Sequence, residues 1–266
     1  MKTHRSVATL SFGSGSVRGQ RSLPEEEAVA LSFNGTTQAV MMATPDDLVD
    51  FAYGFAMTEG IATPLEIARI DVVDLPNGID LQIWLHDEAE ARLTKRRRSM
   101  AGPVGCGLCG IDSLDEALRK VKPVPKSSFT LRPSGVMAAI AALPHAQPLH
   151  DATRAVHAAG FWNGHLLAAR EDVGRHNALD KLAGHMLRSG ADQIGAVLLT
   201  SRVSIDMVQK VAAMGVPMLI AVSAPTAHAV ALADEAGITL LALARPDRFE
   251  AFTHTDRLLP EAAHVA

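Results

Sequence analysis

Mostly apolar stretches at 28–33 and 37–42 lie on either side of Asn34-Gly35, the strongest short turn signal, and this pattern predicts a β-hairpin. The period then changes. Leu48, Phe51, Ala52 and Phe55 fall at i, i+3, i+4 and i+7, which is the spacing of one helical face. Thr44 is placed to cap that helix, Pro45 suits its first turn, Asp47 suits its positive end, and Gly60 stops it. Strand-like stretches at 67–75 and 79–86 flank Pro76-Asn77-Gly78, and a charged helix is predicted over 87–100. Together these segments make a smaller α+β subdomain over residues 28–101. Residues 1–27 are polar, with the Gly/Ser-rich stretch Ser11-Phe12-Gly13-Ser14-Gly15-Ser16, and read as a loose arm.

Glycines at 102, 105, 107 and 110 and a proline at 103 interrupt any regular period, so residues 102–133 read as a loop and linker that Pro123, Pro125 and Pro133 punctuate further. A helix is predicted over 134–143. Strands at 155–162 and 165–171 surround Asn163-Gly164, a second hairpin signal, and a helix follows over 176–188, with Leu179, Leu182, Ala183 and Met186 on one face. From there strand and helix alternate: strands at 196–199, 218–222 and 238–243, helices at 204–214 and 226–236. Gly215 and Gly237 close the two helices. Short apolar strands between capped helices predict an α/β core over 134–266 with a mostly parallel sheet and helices on its faces.

Composition narrows the function classes. The chain has 266 residues, with 25 basic against 29 acidic, and this mildly acidic balance argues against a large nucleic-acid footprint. No apolar run approaches the ~20 residues of a membrane span, and residues 1–21 lack the apolar core of a signal peptide. A cytoplasmic protein without a membrane partner is the expectation. There is no Gly-x-Gly-x-x-Gly after a strand and no Walker-type Gly-Lys-Ser/Thr, so an ordinary dinucleotide dehydrogenase or ATPase is unsupported.

In a parallel α/β sheet, ligands sit beyond the carboxyl ends of the strands. Three segments fall there: Thr200-Ser201-Arg202, Ser223-Ala224-Pro225-Thr226 and Arg245-Pro246-Asp247-Arg248. Their hydroxyls, helix N-termini and arginines are the usual means of holding phosphate. The same hydroxyls could merely cap helices while the arginines face solvent, and spacing alone favours that reading. The segment Glu171-Asp172-Val173-Gly174-Arg175-His176-Asn177, with Asp180 and Lys181 a turn later, is dense in ionisable groups. It reads either as a site with tuned pKa values or as a salt-bridged helix start. His157 reads as a core or edge histidine.

The two cysteines, Cys106 and Cys109, are the only ones in the chain and stand three apart in Gly105-Cys106-Gly107-Leu108-Cys109-Gly110. Such a pair is half a metal site, a dithiol redox pair or a sulfur carrier. Zinc would need histidines such as His150, His157 or His176 to complete four ligands, and no metal site is expected. A thioredoxin-like pair would follow a strand and open a helix. A glycine-flanked loop fits a carrier better, since it lets thiols swing between partners, and Lys95-Arg96-Arg97-Arg98 upstream would favour thiolate. That basic run could also be a solvated helix end.

The chain resembles the formate dehydrogenase accessory sulfurtransferases, the FdhD family. The resemblance runs through Gly54-Phe55-Ala56-Met57-Thr58-Glu59-Gly60, the Cys-Gly-x-Cys-Gly loop, the block from Arg170 to Lys181, Thr200-Ser201-Arg202-Val203-Ser204, Ala221-Val222-Ser223-Ala224-Pro225-Thr226 and Arg245-Pro246-Asp247-Arg248. It implies a sulfur relay in which a cysteine desulfurase loads Cys106 as a persulfide and Cys109 assists. The sulfur then passes to a molybdenum (or tungsten) bis(molybdopterin guanine dinucleotide) cofactor, which is inserted into formate dehydrogenase. The resemblance places that cofactor on Leu243, Ala244, Arg245, Pro246, Asp247 and Arg248, with Thr200, Ser201, Arg202, Ser223 and His176 as further candidates. It also implies a cytidine-deaminase-like three-layer core and a homodimer. His157 is followed by Ala158-Ala159 and not by x-Glu, so deamination is not expected. Two departures stand out: Thr153-Arg154-Ala155 where Thr-Gly-Gly is common, and Asp247 where glycine is common.

Overall fold

A computed structural model of the chain describes residues 2–100 and 121–261. Cys106, Cys109 and the rest of 101–120 lie outside the described residues, as do the side chains of Lys95 to Arg98. The first element corrects the expectation of a loose arm over 1–27. β1 (His4–Phe12) and β2 (Ser16–Pro24) pair as an antiparallel ribbon around the glycine turn at 13–15. Polar alternation without a buried face hid these strands, because the two pair only with each other.

The N-terminal lobe follows the predicted order. β3 (Glu27–Phe33) and β4 (Thr36–Ala43) turn at Asn34 and Gly35, both at positive φ, the conformation that Asn-Gly favours in two-residue hairpins. Helix α1 (Leu48–Thr58), β5 (Ile67–Leu75), β6 (Gly78–Leu85) and α2 (Asp87–Met100) complete it, with sheet order β4-β3-β6-β5. Val29, Leu31 and Phe33 of β3 and Ile79, Leu81 and Ile83 of β6 bury one face of this sheet under Phe51, Ala52 and Phe55 of α1. Thr44 is not the helix cap. Asp47 holds that position at φ 51° without a side-chain cap, and Thr44 is turned to the second lobe.

In the second lobe, α3 (Pro133–Ala142) and a short α4 (Pro148–Thr153) precede β7 (His157–Trp162) and β8 (Leu166–Asp172). Then come α5 (Arg175–Ser189), β9 (Ala196–Leu199), α6 (Ile205–Ala213), β10 (Met218–Ala221), α7 (Ala227–Glu235), β11 (Thr239–Arg245) and β12 (Arg248–Ala251). The sheet order is β12-β11-β10-β9-β7-β8. β9, β10 and β11 are parallel as predicted, but β7, β8 and β12 join antiparallel, so the sheet is mixed and not mostly parallel. The reason lies in two tight turns. Asn163-Gly164 and Pro246-Asp247 reverse the chain directly, where a parallel neighbour would need a helical crossover. Side chains alternate between two cores: Val197, Leu199, Leu219 and Leu240 face α5, α6 and α7, whereas Leu198, Met218, Ile220 and Leu241 face α3.

The lobes are clamped where α1 crosses α5. Gly54 and Gly184 meet at the crossing, and a Cβ on either would run into the backbone of the facing helix. Buried polar groups surround that contact. Asp50 of α1 takes Arg170 Nη2 at 2.8 Å and Arg188 Nη1 at 2.5 Å. Lys210 Nζ lies 2.9 Å from Asp180 Oδ1, 2.6 Å from Glu59 Oε1 and 3.0 Å from Thr58 Oγ1. Burial works against the Lys210 ammonium, but Asp180 and Glu59 outweigh it and raise its pKa above the ordinary lysine value.

Candidate functional site at the carboxyl rim of the sheet

β9, β10 and β11 run in one direction, so their carboxyl ends share one edge of the sheet. β7 runs the other way, and its register, with Ala159 opposite Leu199, brings its first residue, His157, to that same edge. The amino ends of α5, α6 and α7, each following a strand that ends at this edge, complete the rim. Thr200, Ser201, Arg202, Ser223 and the 243–248 segment are therefore collected on one side of the sheet, with His176 in the first turn of α5. Their hydroxyls are engaged locally. Thr200 Oγ1 accepts from Ala158 N at 2.9 Å, and the buried Ser201 donates to the Arg202 carbonyl at 3.0 Å. Arg202 is exposed.

The 243–248 segment is the least regular part of the sheet. Leu243 sits at φ 52°, a left-handed conformation that costs an L-residue roughly 1–2 kcal/mol. The β11–β12 register shifts between Ala242 and Arg245 at the same place. The bulge changes the alternation: Ala242 faces the α5–α7 core, and Ala244, two residues on, faces the opposite core. Ser223 supplies the carbonyl that receives Leu243 N at 3.3 Å. Beyond the bulge, Arg245 Nη1 donates to the carbonyls of Val222 at 2.5 Å and Ala244 at 2.8 Å, folding over the end of β10. Pro246 and Asp247 form a two-residue turn to Arg248, neither at positive φ, and Arg248 Nη1 lies 3.7 Å from Asp247 Oδ2. The glycine common at 247 is thus not required by this turn.

The polar block 171–181 splits in two. Asp172 and Lys181 face inward, both fully buried, with Nζ 2.7 Å from Oδ2. Thr44 N donates to Asp172 Oδ2 at 3.0 Å, and Lys181 Nζ donates to the Thr44 carbonyl at 2.8 Å. Asn177 Nδ2 reaches both Asp172 Oδ1 and the Met42 carbonyl. These residues hold the N-terminal lobe to the sheet. Glu171 accepts from the amides of Leu149 and His150, both at 2.8 Å, so it caps α4; half-burial raises its pKa, against those two hydrogen bonds.

Arg175 and His176 stand apart from that fastening, at the rim. His176 Nε2 lies 3.5 Å from Asp206 Oδ2 in the first turn of α6, and the nearby ring lowers the Asp206 pKa despite partial burial. His157 is half-buried beside them, and burial, then the charges of Arg175, His150 and His176, push its pKa down. From sequence the block holding Arg175 and His176 reads either as a site or as a salt-bridged helix start, with His176 a cofactor candidate, and His157 reads as a core or edge histidine. The signal of this basic corner was present as one histidine at a strand start and an Arg-His pair at a helix start, but only the antiparallel entry of β7 brings them together.

Among the described residues, no group of three or more His, Cys, Asp and Glu side chains is placed to share a metal ion, and no helix is long and apolar enough to cross a membrane. The family model described as the FdhD/NarQ family matches residues 24–259. A sulfur carrier protein FdhD of Agrobacterium fabrum is 51% identical over 262 residues, 97% of each chain. Its counterpart from Brucella abortus is 52% identical over 250 residues, 92% of this chain and 93% of the other. A crystal structure described as that of a formate dehydrogenase accessory protein from Desulfotalea psychrophila superposes with a TM-score of 0.77 at 26% identity, covering 97% of this chain and all of the other. With the family pattern matched along most of its length and half of its residues shared with such relatives, the chain belongs to the FdhD/NarQ family.

Proposed function

We propose that this protein is a sulfur carrier that serves formate dehydrogenase, with Cys106 as the persulfide carrier and Cys109 as its helper. The observation that carries the reading is the identity of 51–52%, along more than nine-tenths of both chains, with proteins named sulfur carrier protein FdhD. The sequence supplies the chemistry in its only two cysteines. The Cys106 thiolate attacks the outer sulfur of a cysteine desulfurase persulfide, and the desulfurase thiolate leaves. Delivery follows when the Cys109 thiolate attacks Cys106 Sγ. A Cys106–Cys109 disulfide forms, hydrosulfide departs toward the metal, and a cellular thiol later reduces the disulfide.

The acceptor in this reading is molybdenum or tungsten bis(molybdopterin guanine dinucleotide), bound as substrate at Leu243 to Arg248. Support comes from the irregular backbone there, since strained conformations concentrate where ligands are clamped. The working form is a homodimer.

Mass spectrometry after incubation with a cysteine desulfurase and cysteine tests the first step. An adduct of about 32 Da on Cys106, removed by reductant, is expected for a persulfide. In cells, Cys106→Ala should abolish formate dehydrogenase maturation. Intact maturation in that variant would leave a cofactor-binding chaperone without sulfur transfer.

A further inference from the structure

A two-stranded ribbon standing alone is at best marginally stable in water. The β1–β2 ribbon joins no other sheet, and outside itself it touches α4 through β2. Its register puts Ala8, Leu10 and Phe12 of β1 on one face with Arg18 and Gln20 of β2, and all five are exposed, Phe12 at 80% and Leu10 at 50%. Exposed apolar rows rimmed by polar groups mark interaction surfaces. The charge of the ribbon is one-sided as well: residues 2–24 hold Lys2, Arg5, Arg18 and Arg21 and no acidic residue, in a chain with 25 basic against 29 acidic.

A surface of matching kind lies on the same chain. α1 covers one face of the N-terminal sheet. Across the other, the register sets Val40, Ala30, Asp80 and Val73 in one row, with Met42 and Ala28 in the next. Val40 is 61% exposed and Met42 50%. Asp80 is partly exposed in that row; its Oδ2 accepts from Gln82 Nε2 at 3.0 Å, and its Oδ1 has no hydrogen-bond partner. A carboxylate short of a donor, in an apolar row, is suited to a guanidinium. Within one copy the ribbon and this face leave each other open.

We propose that the β1–β2 ribbon is an exchanged arm, which lies over the outer face of the N-terminal sheet of a second copy of this chain. Leu10 and Phe12 meet Val40 and Met42, and Arg18 points to Asp80. The inference rests on the reading of the working form as a homodimer and assigns the surface that holds it. The spacing fits. Val40 on β4 and Asp80 on β6 are two strands apart, roughly 10 Å, whereas Leu10 and Arg18 are on adjacent strands roughly 5 Å apart, and an extended arginine spans the rest. The area fits as well. Nine residues at about 3.4 Å each, on two strands about 4.8 Å apart, make a ribbon face of roughly 300 Å². Two such contacts bury roughly 1,200 Å² with both surfaces counted, the lower end of what a stable dimer needs. A second copy is favoured over another acidic protein because one chain carries both halves of the contact. A twofold dimer, in which each copy gives one ribbon and receives one, satisfies both at once.

Sedimentation of the full chain over a range of concentrations tests the assignment. The wild type should be a dimer, and Leu10→Ser with Phe12→Ser should raise its dissociation constant roughly a hundredfold or more, the scale of lost apolar anchors. Both side chains are exposed in the single copy, so the fold should survive. Arg18→Glu alone and Asp80→Arg alone should each weaken the dimer, and an equimolar mixture of the two should recover it, because each contact then joins opposite charges or keeps the original pair. If Asp80→Arg unfolds, Val40→Glu replaces it as the variant of the receiving face and should weaken the dimer by itself. A dimer as tight in the ribbon variants as in the wild type overturns the arm, leaves the homodimer standing and gives the ribbon to another occupant such as an acidic partner protein. A mixture that stays as weak as its components overturns the pairing of Arg18 with Asp80 and with it the placement on this face. A wild type that is monomeric at every concentration refutes the homodimer reading itself.

Discussion

Replacing Gly54 with alanine should destabilise the protein, and replacing Gly135 with alanine should stabilise it, although both lie in helices. A Cβ built at Gly54 overlaps the Asp180 carbonyl oxygen and lies 2.6 Å from the Asp180 carbonyl carbon and 2.9 Å from Gly184 N. Favourable contacts begin at roughly 3.5 Å, so relieving the overlap with the Asp180 carbonyl oxygen requires α1 and α5 to part by roughly 1.5–2 Å. The obstacle is backbone on a packed helix, and no side chain can swing away. Overpacking of this kind costs about 3 kcal/mol at the upper end of its usual range. Alanine's helix preference over glycine returns about 1 kcal/mol. The net loss is about 2 kcal/mol, or roughly 4–8 °C in melting temperature for a chain of this size. At Gly135 of α3 the nearest atom is Leu131 Cδ2 at 3.5 Å, an ordinary contact, so only the gain of about 1 kcal/mol remains. Urea denaturation of the two variants in parallel measures both signs. A Gly54→Ala protein as stable as the wild type would show that the helices are not held at this distance, and the account of the lobe junction would fail with it.

Lys181→Met leaves the fully buried Asp172 without its cation and should cost about 3–5 kcal/mol, whereas adding Asp172→Asn should recover part of it, as a urea double-mutant cycle would reveal. Arg154 holds φ 58° at the end of α4, at the position where family resemblance leads one to expect glycine. Arg154→Gly should raise stability by about 1 kcal/mol, since the exposed pair with Asp151 contributes little, and an unchanged melting temperature would contradict this. The His157 pKa is lowered by burial and by Arg175, His150 and His176, so as pH falls through the ordinary histidine value of about 6.5 the unfolded chain takes up the proton first. Its contribution is therefore complete above that pH and declines below it, down to the folded pKa. Melting curves from pH 7.5 to 5 should fall less steeply for His157→Gln than for the wild type, and identical slopes would remove His157 from the account.

Elements whose pattern has a buried side were legible in the sequence. Leu48, Phe51, Ala52 and Phe55 announced α1, and the buried strands at 196–199 and 218–221 announced the parallel centre of the sheet. The ribbon at 4–24 was not legible, because neither of its faces is buried enough to leave a period. Strand direction was not legible either. A hairpin turn at Asn163-Gly164 sets β7 and β8 antiparallel to each other, but whether β7 runs with or against β9 is decided by which edge of the sheet the hairpin joins. The rim loops at 200–202, 223–226 and 245–248 could be read from the strand–helix alternation. The basic corner beside them could not, since His157 and Arg175 meet only through the pairing of β7 with β8 and β9.

The densest motif in the chain then takes on a double meaning. Within one strand end and two helical turns, Asp172, Asn177, Asp180 and Lys181 point into the junction with Met42, Thr44 and Thr58, while Arg175 and His176 stand at the rim. The helical period makes this possible: 177, 180 and 181 share a face, 175 lies off it and 176 stands at its border. One rigid helix thus sets the N-terminal lobe and the basic corner of the rim in a fixed relation. α2, at the end of that lobe, leads into the segment that carries Cys106 and Cys109. Substitutions in the block should accordingly fall into two kinds. Those at 172 and 181 should lower stability and those at 175 and 176 should leave it nearly unchanged, as urea denaturation would measure. The polar block is a fastening and a stretch of exposed rim built on the same two turns of helix.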